Sequence, residues 1–181
     1  MQRNQTQVKL VSHSLRLAAV LLLCATTSVA ADTAPHVRLH SNAELPVPLP
    51  LPYDEQANAA AQVEGAFKRA KQTGKRVLID FGGNWCPDCR ILAGVMRLPE
   101  VKSFVEGHYE VATVDVGRFD KNLDVVRRFG IQKLRGVPTV VVADADGTTL
   151  NVTNSADLAN ARAMTPQGIA DWLASWASSS R

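Results

Sequence analysis

The chain has 181 residues, 46% of them hydrophobic and 20% charged, with 20 Lys and Arg against 17 Asp and Glu. That composition excludes a disordered chain or a multi-span membrane protein, and three cysteines are too few for a disulfide-rich scaffold. A net charge of +3 points to an anionic partner only if the basic residues lie on the folded domain.

They do not all lie there. Arg3, Lys9 and Arg16 precede an uncharged run from Leu17 to Cys24 and a small-residue stretch ending at Ala30 and Ala31. A basic start, a short apolar core and small residues at the end describe a secretory signal peptide over 1–31, cut after Ala30 or Ala31. The apolar core is shorter than the ~20 residues that cross a bilayer, so no span is expected once it is cut. Leu23 is bulky for a residue preceding an acylated cysteine, which argues against lipid attachment at Cys24. Removing that segment brings the 20 basic side chains to 17, against 17 acidic ones, and no nucleic-acid argument survives.

Residues 32–52 carry Pro35, Pro46, Pro48, Pro50 and Pro52, a composition for an extended linker or arm rather than helix or sheet. The globular domain is expected over 53–181. Ala60, Val63, Phe67 and Ala70 form a helical stripe closed by Thr73 and Gly74. Arg76 to Phe81 reads as a strand covered on both faces. Helices follow over Cys89 to Met96 and from Pro99 through Val105, then a strand over Val111 to Val116 and a short helix over Leu123 to Phe129, stopped by Gly130. Thr139 to Ala143, the turn Asp144 to Gly147 and Thr148 to Val152 suggest a hairpin. Thr165 and Pro166 open a last helix whose stripe is Ile169, Trp172, Leu173 and Trp176, a spacing for core packing. The order implies an α/β fold: a central mixed sheet, one parallel crossover pair joined to an antiparallel pair, flanked by helices.

Asn84-Trp85-Cys86-Pro87-Asp88-Cys89 lies where a strand gives way to a helix, the setting of a redox dithiol. Unpaired backbone N–H groups and the helix dipole at that position favour a Cys86 thiolate. Cys89, one turn on, is placed to attack a mixed disulfide on Cys86. Pro87 suits the first helical position. Asp88, next to Cys89, adds a negative charge that disfavours the thiolate and makes the dithiol a weaker oxidant. Asp80 inside an apolar strand is costly as a carboxylate, so its raised pKa suits it to accept a proton from Cys89.

Asp80 to Cys89, together with Gly136-Val137-Pro138-Thr139, resembles the active-site segment and the cis-proline loop of the thioredoxin superfamily, over roughly Tyr53 to Ala177. The similarity is greatest to exported thioredoxin-like reductases. It implies a thioredoxin fold and a thiol–disulfide oxidoreductase, with attacking Cys86, resolving Cys89 and a buried proton-handling Asp80. It also implies a Trp85, Val137 and Pro138 surface for extended substrates. The redox-active Cys86–Cys89 pair would need no further cofactor. Partners would be disulfide-bearing proteins and a membrane-embedded electron donor, in the periplasm. A lysine common near the buried carboxylate is replaced by Thr113, Gly82-Gly83 replaces bulkier residues, and an insertion surrounds Gln132-Lys133-Leu134.

Competing readings are a disulfide-forming oxidase or isomerase, a non-catalytic peptide-binding module, and a zinc site pairing the cysteines with His36 and His40. The arm offers no reason for those histidines to meet the cysteines, and no metal is expected. Asn151-Val152-Thr153 forms a glycosylation sequon.

Overall fold

The computed structural model describes residues 33–177. Three strands form its sheet in the order β2-β1-β3: β1 is Arg76–Gly82, β2 Tyr109–Asp115 and β3 Thr139–Ala143. β1 runs parallel to β2 and antiparallel to β3, with Asp80 opposite Thr113 on one side and Val140 on the other. Five helices surround it: α1 Ala59–Thr73, α2 Pro87–Met96, α3 Pro99–His108, α4 Leu123–Arg127 and α5 Pro166–Ser175.

Side chains alternate across β1 because a strand has a period of two. Val77, Ile79 and Phe81 pack with α1 and α4 through Val63, Ala66, Ala70, Val125 and Val126. Leu78 instead joins a second cluster with Leu92, Val95, Val101, Ile169 and Leu173 of α2, α3 and α5. Trp172 and Trp176 border that second cluster, half-buried, as the helical spacing predicts. Asn58 caps α1 by accepting from the Ala61 N–H, and Thr165 caps α5 by accepting from the Gly168 N–H. Gly74, at φ 73°, closes α1 in the left-handed region, as its place after Thr73 foretells.

Three stretches depart from the sequence reading. The short helix ends at Arg127 rather than Phe129, with Gly130 at φ 81° beyond it. Two short pieces of 3-10 helix within Asp157–Ala163, separated by a kink at Asn160 and lying against α2, have no counterpart in the predicted elements. The hairpin lacks a true second strand: only a bridge between Ala143 and Thr149 forms, and Val152–Asn154 turn into 3-10 helix.

Asn151 explains that third departure. Its buried side-chain amide stands in for strand backbone, accepting from the Val142 N–H at 2.8 Å and donating to the Val140 carbonyl at 2.8 Å. Leu150 and Ser155 complete the edge through backbone bonds to Val142 and Val140. The sequon asparagine is therefore inaccessible in the folded chain. Replacing Asn151 with alanine strands two buried backbone groups and should cost about 2–4 kcal/mol in urea unfolding.

The proline-rich segment is a packed arm rather than a free linker. Val37 and Leu45 are buried in the α2, α3 and α5 cluster. Asn42 donates to the Ala161 and Met164 carbonyls, and Gln167 of α5 binds the backbone of Pro35 and Val37. Arg90 of α2 donates to the Leu49 and Pro50 carbonyls. Among the described residues, no helix is long and apolar enough to cross a membrane. The expected signal segment lies outside the described residues.

Candidate active site

The dithiol stands where β1 delivers the chain to α2. Cys86 is the N-cap of α2 and Pro87 its first residue, so the Cys86 Sγ accepts from the Cys89 N–H at 3.2 Å. The Cys86 thiol also faces the Val137 carbonyl at 3.3 Å, across a cis Val137–Pro138 peptide. Both cysteines are buried free thiols. Hydrogen bonding from Cys89, above all from its side chain, outweighs burial and brings Cys86 down to about 7. Cys89 moves the other way, because its proton is shared with Cys86 and its sulfur is buried. One thiol is thus ready to ionise, and its neighbour holds the proton.

The Asp88 charge acts on Cys86 in the direction the sequence suggests, raising its pKa, but this is a minor influence and the Asp88 backbone N–H opposes it. Its carboxylate accepts from the Arg162 N–H at 2.9 Å and pairs with the Arg162 guanidinium at 3.3 Å. The charge is engaged in holding the 157–163 segment against α2, which weakens its effect on the dithiol.

Asp80 is buried beneath the pair, and burial pushes its carboxyl up to about 7 despite one stabilising hydrogen bond. That bond comes from Tyr53, whose hydroxyl donates to Asp80 Oδ1 at 2.9 Å. Sequence reasoning placed no role on Tyr53. It sits at the end of the arm, where Thr113 donates to the Pro52 carbonyl and Asn84 clamps the Tyr53 backbone through both its N–H and its carbonyl. Thr113 therefore holds the chain just before the residue that reaches the carboxylate.

The two glycines before the motif have a structural reason. A Cβ on Gly82 would lie 2.3 Å from the Tyr53 hydroxyl and 2.8 Å from Cys89 Sγ, and one on Gly83 would lie 2.6 Å from the Trp85 indole nitrogen. Gly82 is buried, so its smallness makes room inside the site rather than for a docked substrate.

Around the dithiol the surface is aromatic and basic. Trp85 is 41% exposed and donates its indole N–H to the Gly117 carbonyl. The Arg118 guanidinium lies 5.0 Å from its ring centroid, and Phe119 meets it edge-on at 6.1 Å. Phe119 holds φ 69°, an unusual conformation for a bulky residue, and is 41% exposed. The Gln132-Lys133-Leu134 stretch borders an adjoining groove with Phe119, Leu123 and Arg135. Pro138 is buried behind the Cys86–Val137 contact.

His36 and His40 are exposed on the arm, and no three His, Cys, Asp or Glu side chains are placed to hold a metal ion among the described residues.

The chain is similar to known proteins. The family described as "Thioredoxin-like domain" matches residues 63–159. A thioredoxin from Alicyclobacillus acidocaldarius is 34% identical over 76 residues, which is 42% of this chain and 65% of that protein. Thioredoxin 1 from a Nostoc strain is 34% identical over 87 residues, 47% of this chain and 74% of the relative. The chain thus spans just under two thirds of the first of these relatives and about three quarters of the second. The crystal structure of a disulphide isomerase from Xylella fastidiosa Temecula1 superposes with a TM-score of 0.65 at 44% identity, covering 70% of this chain and 97% of that one. With its dithiol at the strand–helix junction and its mixed sheet, the chain belongs to the thioredoxin-like family.

Proposed function

We propose that the protein reduces disulfides in exported protein substrates through its Cys86–Cys89 dithiol. The observation that carries this reading is the setting of Cys86. Its sulfur accepts from the Cys89 N–H and otherwise faces the Val137 carbonyl, and Asp88 rather than a cation precedes Cys89, so that its lowering stays moderate, to about 7. Reducing thioredoxins hold their attacking cysteine near ~7, whereas the strong oxidase DsbA holds its own near ~3.5. A thiolate stabilised only this far leaves the dithiol willing to give up electrons.

Substrate docks against Trp85 and along the chain at Val137, which the buried Pro138 holds in place. The Cys86 thiolate attacks one substrate sulfur, the substrate disulfide breaks, and a mixed disulfide forms while one substrate thiolate leaves. Cys89 then attacks Cys86 Sγ, its proton passes toward Asp80, and the second substrate thiolate leaves. Pro87 and Asp88 set the geometry and charge between the cysteines. The oxidised pair is restored by a thiol donor. In the periplasm, to which the start of the sequence points, that donor is membrane-embedded.

Titration of the Cys86–Cys89 couple against glutathione tests the direction. A potential near about −270 mV is expected, whereas one near about −120 mV would mark an oxidase instead. Isomerisation is the second reading, supported by the likeness to the Xylella fastidiosa disulphide isomerase. It predicts recovery of activity from scrambled disulfides without added reductant.

A further inference from the structure

Asp80 and Cys89 have to exchange a proton, yet among the described residues the hydrogen bond to the Asp80 carboxylate comes from Tyr53. The Tyr53 hydroxyl and Cys89 Sγ border the same small space, the one a Gly82 side chain would fill. Tyr53 has no freedom to leave it: Asn84 fixes its backbone at 3.1 and 2.8 Å, and the ring is buried.

We propose that the Tyr53 hydroxyl is the proton carrier between Cys89 and Asp80. This rests on the oxidoreductase reading and adds to it a residue on the arm. In the resolving step the Cys89 S–H gives its proton to the Tyr53 oxygen while the Tyr53 O–H gives its own to Asp80 Oδ1. The Cys89 sulfur forms its bond to Cys86 Sγ, the Cys86–substrate sulfur bond breaks, and the substrate leaves as a thiolate. Tyr53 ends neutral and Asp80 ends protonated, so charge and protons balance.

Burial, with Asp80 and Cys89 nearby, holds the phenol well above its ordinary range, so a free tyrosinate does not accumulate and the two transfers are concerted. Asp80 also lines a cavity of about 480 Å³ with Pro52, Ala93, Met96 and Thr113, through which it can return the proton to water. Gly82 has its role here: any side chain would separate the three groups.

A nitroaryl disulfide separates the steps, because attack by Cys86 releases one coloured thiolate and resolution by Cys89 releases a second. This probe requires neither a natural partner nor a direction of electron flow in the cell. An oxidising potential would overturn the proposed function without touching this test. In Tyr53→Phe the second release should slow at least about tenfold while the first stays within about twofold. Asp80→Asn should slow it similarly, and the double variant no further, because the two residues act as one path. Resolution in Tyr53→Phe should also lose the inflection near pH 7 that Asp80 imposes on the parent. Unchanged resolution in Tyr53→Phe, or effects that multiply in the double variant, would overturn the relay. The unaltered protein supplies an independent check should Tyr53→Phe fold poorly. Its resolution rate should curve with deuterium fraction, as two protons in flight require, and a straight line would overturn the relay.

Discussion

A Cys86→Ser protein should reduce no disulfide above the solution background, while Cys89→Ser should stall after one attack as a stable mixed disulfide through Cys86. The difference follows from where the two sulfurs sit. At pH 7 a thiol brought from 9.0 to about 7 is half ionised rather than about one per cent, roughly a fiftyfold gain in thiolate. The lower basicity takes back about tenfold in nucleophilicity, leaving a net acceleration of roughly fivefold. Serine at this position has no accessible anion, so the loss is the whole reaction. Cys89 is buried, with its pKa raised, and does not compete for the first attack. Mass spectrometry of the trapped adduct checks the assignment: an adduct on Cys89 in Cys86→Ser, formed as fast as the reverse, would exchange the roles. The attack rate of the parent should rise with pH and level off above about 7, the value at which Cys86 ionises.

The second large effect is on stability. Burial holds Asp80 near 7 in the folded chain against an ordinary 3.8, so the native state keeps a proton that the unfolded chain has released. Below about pH 4 both states are protonated and the carboxyl adds no penalty. As pH rises from there through about 7 the unfolded state is progressively favoured, and above that the full penalty applies. The gap corresponds to about 4 kcal/mol. Asparagine can still accept the Tyr53 hydrogen bond but carries no charge. Asp80→Asn should therefore be more stable than the parent by several kcal/mol in urea at pH 8, with the difference vanishing near pH 4. Parallel curves for the two proteins would show that the carboxylate is not penalised. The same substitution slows resolution, so stability and turnover move in opposite directions at one residue, as expected of a destabilised site kept for its chemistry.

Much of this site is readable from the chain because it is local. Cys86, Pro87 and Cys89 lie within one helical turn, and an acidic residue inside an apolar strand declares itself by its cost. The helices and strands with strong periodicity fall close to where their patterns put them. Tyr53 is a different case. It is 27 residues from Asp80, at the end of a proline-rich stretch that has no hydrophobic period, and its partner is fixed only when the arm folds back. Arg162 meets Asp88 across 74 residues, so the neutralising contact could not be inferred beside the charge. Asn151 misleads for a further reason: an amide side chain can copy the hydrogen bonds of a strand, and alternation in the sequence does not distinguish the copy from the original.

The packed arm also sets an order of assembly. Its outer half is held by Ala161, Met164 and Gln167, with Gln167 lying 130 residues beyond Val37. Chain growth delivers those anchors only well after both cysteines have emerged. Until they arrive, the start of the arm has nothing to close upon, and Tyr53 depends on the Asn84 and Thr113 contacts alone. The proton path is therefore held by contacts that form before those anchors are in place, and docking of the outer half of the arm reports that the domain behind it is whole.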